Sequence, residues 1–228
     1  MSDSTTTTSP QTPAQAWAAL VEGNRRFVAG EMRHPGQNMA RRNEVSKAQH
    51  PFAVLLGCSD SRVASELIFD QGLGDLFVVR NAGHVLDTTV IGSVEFGVDL
   101  LDTPLVVVLG HENCGAVGAA REALLSGNTP NGMVRAIVDR VTPSIVTRAP
   151  SHAVGGTEAP SPADGFELVL PDPAEMVREH VRETVHMLGA YSQILARAVE
   201  SGTCAIVGAK YSLSEGRVEL VEALGDIG

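Results

Sequence analysis

Four short apolar runs along the chain predict buried strands. They are rich in β-branched residues and nearly continuous, which is typical of strands covered on both faces of a parallel sheet. These runs cover residues 52–56, 76–79, 105–109 and 204–207. A final hairpin is predicted from residues 209–213 and 218–221, because the turn residues Ser, Glu and Gly stand between them.

Helical patterns lie between these runs. Residues 15–28 place their apolar positions in one stripe at helical spacing, and Gly30 is suited to end that helix. Further helices are predicted over residues 64–69, over residues 88–101 and from Cys114 onward. The alternation predicts an α/β fold, with a central, mainly parallel β-sheet flanked by helices and preceded by a helical arm.

One more helix is announced by its capping residues. Asp172 supplies a capping side chain, Pro173 suits the first helical position and Glu175 suits the third. The apolar stripe that follows runs to Leu195, and Gly202 is suited to end the helix. We therefore expect one long helix before the last strands.

The 228 residues suit a single domain, which we expect to span residues 14–228. The Ser/Thr/Pro-rich residues 1–13 bury little apolar surface and are predicted to form a disordered leader. Residues 147–167, rich in Pro, Gly, Ala and Ser, predict a mobile loop within the domain.

Charge and cysteine content narrow the classes of function. There are 17 Lys and Arg against 27 Asp and Glu, a net charge of −10, which argues against binding nucleic acid or an anionic membrane. No run approaches the roughly 20 apolar residues of a membrane span, and the N-terminus lacks the pattern of a secretory signal. We expect a cytoplasmic protein whose cysteines serve metal binding or catalysis rather than disulfides. The cysteines are Cys58, Cys114 and Cys204, and the last lies within an apolar run.

Polar residues follow two of the predicted strands. Residues 57–62 come directly after the first strand and residues 110–115 directly after the third. In open parallel sheets, ligands gather at the carboxyl ends of the strands. The two segments are therefore expected to meet at one edge of the sheet.

The residues brought together there suit zinc. Cys58, His111 and Cys114 offer two thiolates and one imidazole, which are ligands that Zn²⁺ prefers. Three protein ligands leave one coordination position free, as in catalytic rather than structural sites. Zinc in such a site lowers the pKa of bound water to about 7.

Asp60 has two possible roles beside such a metal. Its carboxylate can accept a hydrogen bond from the nucleophile and orient it, or it can bind the metal as a fourth ligand. Bidentate pairing with Arg62 would hold it off the metal. A simple salt bridge at the strand end is the plainer alternative.

At this point the sequence closely resembles the β-class carbonic anhydrases. The motifs that carry the resemblance are Cys58-Ser-Asp-Ser-Arg62, the segment 77–83 and the segment 110–115. The likeness covers about residues 17–142 and 173–220.

The resemblance implies reversible hydration of carbon dioxide to bicarbonate and a proton by zinc-bound hydroxide. It implies one zinc ion per chain on Cys58, His111 and Cys114, with Asp60 and Arg62 as a gating pair. Among substrate-binding residues it implies Gln49 and Gly83. It also implies a homodimer or homotetramer in which the N-terminal helical arm packs on a partner subunit.

Two other functions are compatible with these residues. One is a hydrolase of carbon disulfide or carbonyl sulfide on the same fold, and the other is a non-catalytic, zinc-stabilised binding module. His84 lies near the predicted site and is a candidate proton relay. His180, in a helical pattern, is expected on the surface.

Overall fold

The computed structural model describes residues 9–146 and 170–228, which form a five-stranded sheet with helices on both faces. The strand order is β2-β1-β3-β4-β5, and all neighbouring pairs are parallel except β4 and β5. The strands are β1 (Ala53–Cys58), β2 (Leu76–Asn81), β3 (Leu105–His111), β4 (Ala205–Tyr211) and β5 (Val218–Leu224). The predicted α/β fold with a mainly parallel central sheet is confirmed.

Eight α-helices flank this sheet in the described ranges, and none of them is long and apolar enough to cross a membrane. They are α1 (Pro13–Ala29), α2 (Met39–Glu44), α3 (Ser65–Ile68), α4 (Thr88–Glu95), α5 (Gly115–Ser126), α6 (Val134–Ile145), α7 (Pro173–Tyr191) and α8 (Gln193–Glu200). A 3₁₀ turn over Ala82–His84 follows β2, and α4 continues into a π-helical turn over Phe96–Leu100.

The core occupies both faces of the sheet. On one face Leu55 of β1 packs in a cluster with Leu20 of α1, and on the other Leu56 packs in a cluster with Val181 and Leu188 of α7. Every residue of β1, β3 and β4 is buried. Burial on both faces explains why these strands read as continuous apolar runs.

The structure corrects the prediction for the last strands. Residues 204–207 and 209–213 were expected in two separate strands, but β4 runs unbroken from Ala205 to Tyr211 and pairs with β5 across a register shift at Gly208. A Cβ atom at Gly208 would approach Val181 Cγ1 to 2.7 Å. The glycine is therefore the place where α7 packs closely on the strand.

The long C-terminal helix is also interrupted. Its start is as predicted, because the Asp172 carboxylate accepts hydrogen bonds from the backbone N–H groups at positions 174 and 175. Its continuation to Gly202 is wrong, since α7 ends at Tyr191 and Ser192 adopts an extended conformation. The Ser192 hydroxyl then caps α8 by accepting the N–H of Leu195.

The N-terminal helix matches its prediction closely. Thr12 caps α1, and Gly30 ends it with a φ of 70°. The Asn24 side chain of α1 bonds the carbonyls of Ile68 and Gly216 and the N–H of Val218 within the same chain. Residues 1–8 of the predicted leader lie outside the described residues, and so does the predicted mobile loop at 147–167.

Candidate metal centre

The structure brings Cys58, His111 and Cys114 together at one edge of the sheet. Cys58 ends β1, His111 ends the adjacent strand β3, and Cys114 directly precedes α5. One potential ligand atom from each residue lies within 4.8 Å of the other two, and all three residues are buried. Because β1 and β3 are parallel neighbours, their carboxyl ends place these side chains side by side.

His111 is oriented to accept a metal. Its Nδ1 lies 2.8 Å from the carbonyl oxygen of Glu112, which can only accept, so Nδ1 carries the proton. The buried Nε2 then presents a lone pair and has no hydrogen-bond partner among the described residues. A ligating histidine fixed through its other ring nitrogen is the usual arrangement in metal sites.

The two thiols perturb one another. The neighbouring Cys114 thiol is the main reason that the pKa of the Cys58 thiol is lowered, and the Gly83 N–H, which donates to the same sulfur, lowers it further. Contact with Cys58 and then burial raise the pKa of the Cys114 thiol. Without a cation the pair therefore holds one negative charge easily and resists a second. A divalent metal would stabilise both thiolates, so the donor set fits zinc.

A series of buried hydrogen bonds connects Cys58 to His180 and Ser144 through Gly83. The Gly83 N–H donates to Cys58 Sγ at 3.3 Å, and the Gly83 carbonyl accepts from His180 Nε2 at 2.8 Å. The other ring nitrogen of His180 lies 2.7 Å from the Ser144 hydroxyl. The chain links α6 and α7 to the candidate metal ligand.

His180 is thus a site residue that the sequence reading missed. It was expected on the surface, yet only 1% of it is exposed. Its position could have been found from the α7 stripe, because it stands three residues after Val177 and directly before Val181, both of which are buried. A histidine within an apolar stripe is a buried polar group that needs partners.

Gly83 itself occupies a place that only glycine fits. Its φ of 73° is left-handed, and a Cβ atom there would lie 2.6 Å from the Ala116 Cβ atom. The close approach holds the 3₁₀ turn after β2 against the start of α5. Gly83 therefore keeps its N–H directed at Cys58.

Asp60 and Arg62 form the predicted pair. Arg62 Nε lies 2.9 Å from Asp60 Oδ1, and Nη2 lies 2.7 Å from Oδ2. The Arg62 guanidinium is the main reason that the pKa of Asp60 lies well below its usual range. Arg80, which the sequence reading did not place in the site, donates to the carbonyls of Cys58 and Asp60 at 2.8 Å each. It fixes the backbone from which both side chains project.

The structure places two other predicted residues, Gln49 and His84, in contrasting surroundings. Gln49 is exposed, in the segment that precedes β1. His84 is fully buried, and its ring lies against that of His180 with centroids 4.4 Å apart. Both of its ring nitrogens lack a hydrogen-bond partner among the described residues. Burial lowers the pKa of His84 well below its usual value. Its role as a proton relay stays a prediction.

Comparison with known proteins gives a consistent result. Residues 53–218 match the family model described as carbonic anhydrase. A carbonic anhydrase of Mycolicibacterium smegmatis is 51% identical over 216 residues, covering 95% of this chain and 97% of the relative.

Solved structures show the same fold. The Coccomyxa β-carbonic anhydrase in complex with acetazolamide is 25% identical and has a TM-score of 0.66, covering 90% of this chain and 87% of that chain. A β-carbonic anhydrase of Sordaria macrospora, described as tetrameric, is 18% identical and has a TM-score of 0.64, covering 90% and 96% respectively.

The fold and the strand-end cluster define an α/β enzyme with a Cys-His-Cys site suited to a metal ion. Within that class, the chain belongs to the β-class carbonic anhydrase family and is a carbonic anhydrase, a lyase.

Proposed function

We propose that the chain hydrates carbon dioxide reversibly to bicarbonate and a proton with one zinc ion held by Cys58, His111 and Cys114. The observation that carries the proposal is the meeting of these three donors within 4.8 Å at the sheet edge. Bound there, zinc would supply a Lewis acid that makes a water molecule nucleophilic near neutral pH.

In this proposal, Asp60 orients the attacking water. The pKa of Asp60 lies well below the usual range because Arg62 pairs with it, so the carboxylate stays ionised near neutral pH. As an ionised group it can accept a hydrogen bond from the water molecule. The bidentate pair also keeps Asp60 from binding the metal. If the ion pair between Arg62 and Asp60 breaks, the Asp60 carboxylate would be free to bind at the metal site and close it to water. This change is the proposed gate.

Gln49 is the proposed substrate-binding residue. Its exposed amide lies on the segment that precedes β1 and could donate a hydrogen bond to substrate in the assembled protein. Gly83 is a weaker candidate for that role, because its N–H already serves Cys58 and its carbonyl serves His180. We assign Gly83 instead to the positioning of Cys58.

Self-association is part of the proposed function. Supporting it, α1 carries exposed Val21 and Val28, and a second exposed apolar group includes Phe96 and Leu100 beside the edge strand β2. The Sordaria neighbour is described as tetrameric. We propose a homodimer or homotetramer in which the N-terminal arm packs on a partner subunit, which sedimentation velocity would test against a monomer.

A cytoplasmic location is proposed on the state of the thiols. All three cysteines are free and buried, as expected of a protein kept in a reducing compartment. Labelled protein in fractionated cells would test this.

The deciding experiment is stopped-flow hydration of carbon dioxide by the zinc-loaded protein from about pH 6.5 to 9, a range around the pKa of about 7 expected for metal-bound water. Rapid turnover that rises with pH supports the proposal. Turnover of carbonyl sulfide or carbon disulfide alone would favour the hydrolase, and bound zinc without turnover of any of these would favour the binding module.

A further inference from the structure

A cavity lies beside the candidate metal centre. Cys114 is among its described lining residues, whereas Cys58, His111, Asp60 and Arg62 are not. The cavity encloses about 640 Å³ and is bordered by the loop that carries Cys114, by α5, by the start of α7 and by β4. Pockets of roughly 300–1,000 Å³ are typical of sites for small organic molecules.

Two positively charged side chains line this cavity without a partner of their own. Lys210 of β4 is 8% exposed and makes neither a hydrogen bond nor an ion pair with any residue of the described ranges. Arg121 of α5 lines the cavity as well, and its buried Nε has no hydrogen-bond partner in the described structure. By contrast, the partly buried Arg26 is paired with the buried Asp70. A largely buried cation without an ionic partner is poorly solvated, and an anion in the cavity would offset that cost.

The remaining lining decides which anion fits. Val117, Met176 and Val177 give the cavity an apolar wall. Two carboxylates also border it, but each already accepts backbone hydrogen bonds: Glu112 from the N–H of Leu213, and Asp172 at the start of α7.

The two cations and two carboxylates among the described lining residues cancel in formal charge, which suits a single negative charge better than several.

We propose that this cavity binds an organic monocarboxylate, whose head group is held by Lys210 and Arg121 and whose apolar body packs on Val117, Met176 and Val177. Inorganic anions would leave the apolar wall uncovered. A polyanion would be repelled by the carboxylates of Glu112 and Asp172. The cavity shares Cys114 with the candidate metal centre, whereas Lys210 and Arg121 lie outside the proposed ligand set.

Isothermal titration of octanoate into the zinc-loaded protein tests the proposal, with 1-octanol and acetate as comparison ligands. We expect octanoate to bind more tightly than either. Lys210→Met and Arg121→Met should each weaken octanoate binding about tenfold or more, as for the loss of a charge-assisted hydrogen bond. Met keeps the apolar stem of the replaced side chain. Arg217→Met is the matched control, because Arg217 is 63% exposed and lies outside this lining.

Binding at the metal is separated by repeating the titration in excess azide, a small anion that ligates zinc. The cavity proposal expects the octanoate affinity to persist. It is overturned if azide abolishes binding, if octanol binds as well as octanoate, if the wild type binds no octanoate, or if both Met variants bind like the wild type. If Lys210→Met does not fold, octanoate titration of Arg121→Met still tests the proposal, because Arg121 is partly exposed and its replacement disturbs the fold less. Because calorimetry needs no turnover, failure here leaves the test of carbon dioxide hydration unaffected.

Discussion

His180 and Gly83 are joined by a buried hydrogen bond of 2.8 Å that connects α7 to the turn beside Cys58. The acceptor is a carbonyl oxygen, so the proton lies on His180 Nε2. The same glycine donates its N–H to Cys58 Sγ. One histidine thus controls the backbone group that orients a candidate metal ligand and withdraws charge from it.

Replacing His180 is expected to weaken metal binding without touching a ligand. In His180→Phe the Gly83 carbonyl loses its donor and the turn is free to tilt, so we expect zinc affinity to fall at least about tenfold. His180→Gln retains an N–H donor and should restore much of it. Competition with a chromophoric chelator measures both. Equal affinities in the wild type and the Phe variant would show that the bond has no influence on the metal.

Asp60→Asn is expected to retain zinc and lose most of its carbon dioxide hydration. The amide replaces an acceptor with a donor and no longer pairs bidentately with Arg62, so the attacking water loses its orienting group. Stopped-flow assays alongside metal analysis separate the two effects. Full activity in this variant would refute the orienting role.

Replacing the buried Cys114 and replacing the buried Cys204 are expected to have different effects on zinc binding. Cys114→Ala should abolish zinc binding because it removes one of three donors, whereas Cys204→Ala should keep it. Cys204 is equally buried but directly precedes β4, outside the cluster, and its thiol donates to the carbonyl of Ala205. Metal content per chain checks the pair. One zinc per chain in Cys114→Ala would contradict the proposed ligand set.

Asp70 is expected to make folding sensitive to acid. Burial opposes its ionisation, but hydrogen bonds from the Arg33 backbone, the Arg26 side chain and the His34 backbone outweigh burial and lower its pKa. Its stabilisation is therefore fully present above the unfolded-state pKa of about 3.9 and is lost as pH falls through the folded-state value.

Asp70→Asn isolates that charge, since asparagine tolerates the left-handed φ of 46° found there. We expect it to cost about 3 kcal/mol at pH 7 and to lose less stability than the wild type on acidification. Asp139→Asn, which breaks an exposed pair with Arg135, should cost less than about 1 kcal/mol. Urea unfolding at about pH 2 to 7 measures all three proteins, because the loss in the wild type lies below the unfolded-state pKa of about 3.9. If Asp70→Asn leaves the free energy of unfolding at pH 7 unchanged, the buried pair does not stabilise the fold.

The sequence predicted the parts of the molecule that depend on local pattern. Continuous apolar runs located the parallel strands, and the polar segments after two of them located the candidate metal ligands. It failed where tertiary packing decides the outcome. Gly208 looked like a break between strands, but it marks the close approach of α7.

The same limit applies to individual side chains. His180 and Arg80 act through partners far away in sequence, and no spacing rule reveals such contacts. Lys210 lies within a strand that is buried throughout, and only the structure shows that its side chain lines a cavity.

The sheet order has a consequence for how the centre comes into being. Strands β1 and β3 are neighbours in space, yet the chain leaves β1 to build β2 and α4 before it returns. A peptide cut from either segment carries only part of the donor set, and a folding intermediate that has not paired β1 with β3 carries no complete one. Metal uptake during refolding therefore reports correct topology, because the metal binds only after β1 and β3 have paired.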